Sequence, residues 1–228
     1  MKNFLKRGNS KLKILLLFPI SFLFLAVMFF VPAGTLNYWQ AWLFLFVLFV
    51  PVIFTANYLI KHDPKLLERR MQFKEKRVKQ KFIVKFSGLL FLIGILITGL
   101  DFRFGWSSVP FWLVIFSDLI ILLSYYLVYL VFKENSYTSR TIKVEKEQKI
   151  TTTGPYAIVR HPMYVGVILM YLFMPLALGS YWALIFFIPT IPIIMVRALD
   201  EEKALLKDLK GYKEYTKKVK YRLLPGVW

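Results

Sequence analysis

Apolar residues in this chain run together in long blocks separated by short polar connections. The blocks at residues 14–30, 39–60, 82–100 and 111–132 each carry enough apolar side chains to cross about 30 Å of hydrocarbon as a helix. A further pair follows at 164–178 and 181–196, interrupted by Pro175 in the first member and by Pro189 and Pro192 in the second. Proline removes a backbone donor and breaks or kinks a helix, so this last pair is expected to be short, kinked or tilted. The pattern predicts an all-α fold: a polytopic integral membrane helix bundle of five to six transmembrane helices, ending in a C-terminal cytoplasmic helical segment. In that segment Leu199, Leu205, Leu206 and Leu209 form an apolar face, with lysines opposite. A single domain over residues 1–228 is expected, with a four-helix membrane part at 1–132.

Composition agrees with the pattern: 57% of residues are hydrophobic, and 22 are Phe. Charge adds orientation. The formal net charge of +18 is gathered at residues 1–13, 61–85, 133–160 and 197–222, and the alternate connections near 31–38, 101–109 and 179–180 carry almost none. Basic connections stay on the cytoplasmic side, so both termini are expected in the cytoplasm; the compact, lysine-rich chain suggests a prokaryotic inner or plasma membrane. Attraction to anionic headgroups accounts for the charge, so membrane lipids are the expected partners and nucleic acid is not. The chain has no cysteine, which excludes a cysteine nucleophile, a disulfide and a thiolate-held iron–sulfur site.

Candidate chemistry concentrates after residue 150. The run GPYAIVRHPMYVG at 154–166 puts Arg160 and His161 directly before an apolar block, with Gly154 permitting a tight backbone and Pro162 restricting His161. Farther on, Arg197, Asp200, Glu201 and Glu202 leave the last apolar block, and Glu202 suits the hydroxyls or amine of a cofactor better than its lysine neighbours do. The tyrosines 212, 215 and 221 suggest a tail folding back onto something. Asp118, inside a predicted span, needs a polar partner or a neutral state, and packing or hydrogen bonding is its first expected role. The basic linker 61–81 contains Leu66, Leu67, Met71 and Phe73, which suit a segment lying on the membrane surface. His62 in that linker lacks the neighbouring ligands a zinc site needs, and no metal site is expected.

Gly154, Pro155, Tyr156, Arg160, His161, Pro162, Tyr164 and Gly166, with Glu201, Glu202, Leu205, Gly211, Tyr212, Tyr215, Arg222 and Pro225, resemble the isoprenylcysteine carboxyl methyltransferase and phospholipid methyltransferase superfamily of integral membrane methyltransferases. The likeness covers about residues 149–228, which it implies to be the cofactor-binding part. It implies S-adenosyl-L-methionine as cofactor, S-adenosyl-L-homocysteine as product, and a lipophilic methyl acceptor arriving from the bilayer. On this chain it assigns cofactor binding to Tyr156, Arg160, His161, Tyr164 and Glu202, with Glu201 competing for the acid's role. The absence of a GxGxxG pattern is consistent with such a membrane enzyme, which has no soluble nucleotide-binding fold.

The expected mechanism is direct displacement driven by positioning and electrostatics. Glu202 orients the cofactor, His161 holds its polar part, and Arg160, His161 and Arg222 are the candidate catalytic residues. Arg160 and Arg222 together would attract an acceptor carboxylate, which favours a carboxyl, isoprenylcysteine-like substrate. The alternative is a phospholipid amine, for which His161 or a tyrosine must remove a proton. A small transporter or a lipid-binding protein is the non-enzymatic alternative.

Overall fold

The computed structural model describes residues 2–71, 78–142, 144–145 and 147–228, with no description of the side chains of 2–15 and 78–79. Within these residues the secondary structure is helical and no strand is present. Backbone groups in hydrocarbon must be satisfied within their own segment, and the long apolar blocks form α1 (Lys2–Ala33), α2 (Trp39–His62), α4 (Val78–Phe104) and α5 (Phe111–Glu134). The short α3 (Pro64–Arg70) lies between α2 and α4, started by Pro64 and by the Asp63 carboxylate, which accepts from the Leu66 amide at 2.9 Å. Phe73 of the expected surface linker lies outside the described residues.

Among the described residues four helices are long and apolar enough to span a membrane, and the protein is a polytopic integral membrane protein. The expected final pair takes a different form. Helix α6 (Pro162–Ala177) is shorter than these four and ends two residues after Pro175, as the missing donor and ring clash of a proline favour. The block at 181–196 is not one span: a single turn, α7 (Leu184–Phe187), gives way at Pro189 to α8 (Thr190–Asp208). Pro189 caps α8, and Pro192 lies in its first turn, where helix donors have no intrahelical partner. Helix α8 then continues into the polar residues, and α9 (Tyr212–Lys218) follows the left-handed Gly211.

Packing between spanning helices relies on close approach, since lipid is as apolar as the helices themselves. A Cβ on Gly94 would lie 2.4 Å from the Phe187 ring, and one on Gly99 would lie 2.8 Å from the Phe29 carbonyl oxygen. Gly88, on the same helix, would meet nothing within 4 Å. The same device joins α5 and α6 at Gly166, where a Cβ would lie 2.9 Å from Val128 Cγ2 and 3.1 Å from the Ser124 carbonyl oxygen. Gly166→Val is therefore expected to push α6 from α5 and cost about 1–3 kcal/mol, read as a lower thermal midpoint in detergent.

The core, with Phe29, Phe44, Ile95, Ile121 and Phe187 at its centre, fills the bundle. At one end Asp101 accepts from the Ser107 amide and hydroxyl, both at 2.6 Å, and from the Ser180 hydroxyl. This clamp joins α4 to the turn after α6, and nearby the Tyr38 hydroxyl donates to the Leu178 carbonyl. Trp39, Trp42 and Trp106 are exposed at the same end, as an aromatic belt requires. Asp118 is buried in α5, yet neither carboxylate oxygen has a hydrogen-bond partner among the described residues. The expected hydrogen-bonding role is thus not seen. Its place along α5 is remote from the polar end of the bundle.

Candidate active site at the polar end of the bundle

At the other end, the connection after α5 folds back over α6 and α8 and encloses an open cleft. The turn depends on Gly154, whose φ of +56° is left-handed and whose missing side chain makes room for Glu134; a Cβ there would lie 2.8 Å from Glu134 Cγ. Thr153 Oγ1 donates to Glu134 Oε2 at 2.5 Å, tying this turn to the end of α5. The 3₁₀ turn Gly154–Ala157 then presents Tyr156, whose hydroxyl accepts from Asn135 Nδ2 at 3.0 Å. The Tyr215 hydroxyl donates to the Tyr156 carbonyl at 2.8 Å. Burial pushes the Tyr156 phenol pKa up, opposed by its hydrogen bonds with Thr138 and Asn135.

The tail does fold back. The amides of Arg160 and His161 donate to the carbonyls of Tyr221 and Arg222 at 3.0 and 2.9 Å. These bonds fix the backbone of the Arg160–His161 pair and bring Arg222 over α8. There Arg222 Nε donates to Glu202 Oε2 at 2.7 Å, and Arg160 Nε lies 3.0 Å from Glu202 Oε1. The second contact is an ion pair off the hydrogen-bond direction, since both of its atoms lack a hydrogen-bond partner among the described residues. Glu202 and Arg160 are buried, whereas Arg222 is about a third exposed.

One residue earlier on α8, Glu201 lines the cleft while Glu202 does not. Its Oε2 accepts from the Tyr164 hydroxyl at 2.6 Å, and that hydroxyl accepts from Arg197 Nε at 3.2 Å. Arg197 also donates to Gln80 Oε1 at 2.9 Å and to the Arg140 carbonyl at 2.7 Å, joining α8 to α4 and to the covering connection. The chain continues from Gln80 Nε2 to Asp200 Oδ2 at 2.7 Å.

Besides Arg160 Nε, which is ion-paired, two further polar atoms of the cleft wall lack a hydrogen-bond partner. His161 Nε2 and the Tyr212 hydroxyl are buried and have no hydrogen-bond partner among the described residues. Burial lowers the His161 pKa below its ordinary 6.5, outweighing the opposing pull of Glu201 and Glu202; Arg160 and Arg222 lower it further. His161 is therefore a neutral imidazole at pH 7. Burial raises the Tyr212 phenol pKa, so it stays protonated.

Of the residues singled out in the sequence, Tyr156, Arg160, His161, Tyr164 and Glu201 line one cleft. Glu202 and Arg222 stand behind this wall as an ion pair. Arg70, Asn135 and Gln80 were missed as site residues. Asn135 reads in sequence as a helix stop, and Arg70 is one of many linker cations; no spacing rule joins them to a site far along the chain.

The fold defines a helical membrane protein with an open cleft of mixed polar and apolar lining at one end of its bundle. Residues 112–212 match the model of the phospholipid methyltransferase family, in agreement with the superfamily resemblance carried by the cleft motif. The matched stretch runs from α5 to the start of α9 and includes Tyr156, Arg160, His161, Tyr164, Glu201 and Glu202, leaving Arg222 outside. The chain is also 31% identical over 93 residues to the mouse (Mus musculus) Delta(14)-sterol reductase TM7SF2. That alignment covers 39% of this chain and only 22% of the relative's length.

Proposed function

We propose that the protein is an S-adenosylmethionine-dependent methyltransferase acting on a lipid amine. The observation that carries this reading is the buried, unpartnered Nε2 of a neutral His161 in the cleft wall, within the stretch matching the phospholipid methyltransferase family. The sterol in the mouse relative's name and the phospholipid in the family's name both support a lipophilic acceptor.

The cleft suits the cofactor chemically. Tyr156, Tyr212 and Leu205 offer aromatic and apolar surface for a base, Glu201 offers a carboxylate for ribose hydroxyls, and the Tyr212 hydroxyl lacks a partner. S-adenosylmethionine would supply, when bound, an electrophilic methyl group on a sulfonium and would leave as the thioether S-adenosylhomocysteine. The chain's own part is to position the acceptor and manage its proton. An ammonium acceptor would give one proton to His161 Nε2, which would free the lone pair on its nitrogen. Tyr164 and Arg197 hold Glu201 in place. Arg160 and Glu202 fix the backbone from which His161 projects.

An amine replaces the carboxylate acceptor favoured in the sequence reading. Arg160 and Arg222 were its grounds, and both are engaged by Glu202. The cleft end is placed in the cytoplasm by the positive-inside rule, where a soluble cofactor is available.

The test is calorimetric binding of S-adenosylmethionine to the detergent-purified full chain, followed by transfer of radiolabelled methyl to lipid amines and lipid carboxylates in nanodiscs. Saturable binding with label on the amine lipid is expected. Label on the carboxylate alone would restore the isoprenylcysteine-like alternative, and no cofactor binding by folded protein would end the methyltransferase reading.

A further inference from the structure

Arg69 and Arg70 end α3 side by side but have very different partners. Arg69 grips Glu145 with Nε and Nη2, at 2.8 and 2.7 Å, and donates from Nη1 to the Ser136 carbonyl at 2.9 Å. This bidentate pair pins α3 to the connection covering the cleft. Among the described residues Arg70 reaches only the Met163 sulfur, at 3.5 Å from Nη1, and the face of Phe132, 5.0 Å from the ring centre. It has no carboxylate partner among the described residues.

The surroundings of Arg70 are two-sided. On one side lies an apolar cluster of Leu59, Leu66, Leu67, Val131 and Phe132, at the ends of the spanning helices. On the other lies the cleft wall, since Met163 lines the cleft two residues after His161. More positive charge stands close by. Arg197 donates only to neutral acceptors among the described residues: the Tyr164 hydroxyl, Gln80 and the Arg140 carbonyl. Burial pushes the Arg70 pKa down to about 10 and the neighbouring Arg140 adds to the fall; Tyr164 opposes it, and Arg197 (lowering) and Tyr156 (raising) have smaller effects. A half-buried cation with no counter-charge costs free energy that an incoming anion would recover, and the planar guanidinium fork suits a phosphate.

We infer that Arg70, in the positive field of Arg197, holds the phosphodiester of the lipid acceptor. The headgroup amine then reaches past Met163, which lines the cleft, to His161. This rests on the methyl-transfer reading for the direction in which the headgroup points. It makes Arg70 a specificity-determining residue, selecting amines that carry a phosphate one short linker away.

The experiment is equilibrium binding to the detergent-purified full chain of three probes: a short-chain diacyl glycerophosphoethanolamine, a phosphate-free long-chain alkylamine, and inorganic phosphate. Arg70→Gln is expected to weaken the phospholipid about tenfold or more, the loss of one charge-assisted contact. Arg70→Lys should fall between the two, because it keeps the charge and loses the fork. Alkylamine affinity should stay within about twofold of wild type, and inorganic phosphate should displace the lipid only weakly. Thermal midpoints serve as the fold control, and Arg70→Lys carries the test if Arg70→Gln does not fold. Equal phospholipid affinity in folded wild type and variants overturns the inference. So does an equal loss for the alkylamine, or inorganic phosphate binding as tightly as the lipid. Failure of the methyltransferase reading looks different: lipid binding still depends on Arg70, but S-adenosylmethionine neither binds nor donates a methyl group.

Discussion

Glu202→Ala is expected to lower the thermal midpoint sharply and free the tail, at a cost of about 3–5 kcal/mol, the range for removing one partner of a buried ion pair. The substitution leaves Arg160 buried beside Arg222 with no shared carboxylate between them. Most of the loss comes from Arg160, because Arg222 is about a third exposed and water screens it. The amides of Arg160 and His161 are bonded to the same tail, so loosening it also displaces the proposed proton acceptor. Limited proteolysis should cut the tail of the variant faster than that of wild type. Glu201→Gln provides the contrast: it should leave the midpoint nearly unchanged and weaken cofactor binding, since Glu201 faces the cleft and Glu202 does not. A Glu202→Ala protein as stable as wild type would remove Glu202 from its structural role.

The second large effect is on turnover. His161→Gln is expected to lower kcat with an amine acceptor by about 10²–10⁴-fold, the usual contribution of a positioned general base, while cofactor affinity changes little. Methyl transfer within a few-fold of wild type by folded variant would dismiss His161 as the proton acceptor. A pH series supplies an independent check. The His161 pKa is lowered by burial from its ordinary 6.5, so below that value the unfolded chain takes up the proton before the folded one. The wild type should therefore lose stability as the pH falls from 6.5 through the lowered folded value, and gain nothing further from this group above it. His161→Gln should flatten that part of the profile.

Much of the site was legible because its residues lie close together along the chain. Tyr156, Arg160, His161 and Tyr164 fall within one turn and the start of one helix, so their spacing already placed them together. Glu201 and Glu202 were legible as a pair, and the sequence favoured Glu202 whereas Glu201 lines the cleft. Adjacent residues on a helix point about 100° apart, and which of them faces the cleft depends on how α8 is rotated against α6 and the tail. Asn135 and Arg70 came into view only with the tertiary structure, because the former meets Tyr156 across a chain reversal and the latter meets Met163 from another helix.

By itself the sequence determined that this is a helical membrane protein, where its four long spans run, and where its polar chemistry gathers. These follow from the apolar length needed to cross hydrocarbon and from local motifs, both of which are properties of short stretches of chain. The tertiary structure decided that the last apolar block is a single turn and a separate helix. It also decided that Arg160 and Arg222 are engaged by Glu202, and that Arg70 stands without a counter-charge among the described residues. Those outcomes depend on which charges meet across distant segments. Charge pairing in a buried site acts over a few ångströms of space, and linear order along the chain does not report that distance.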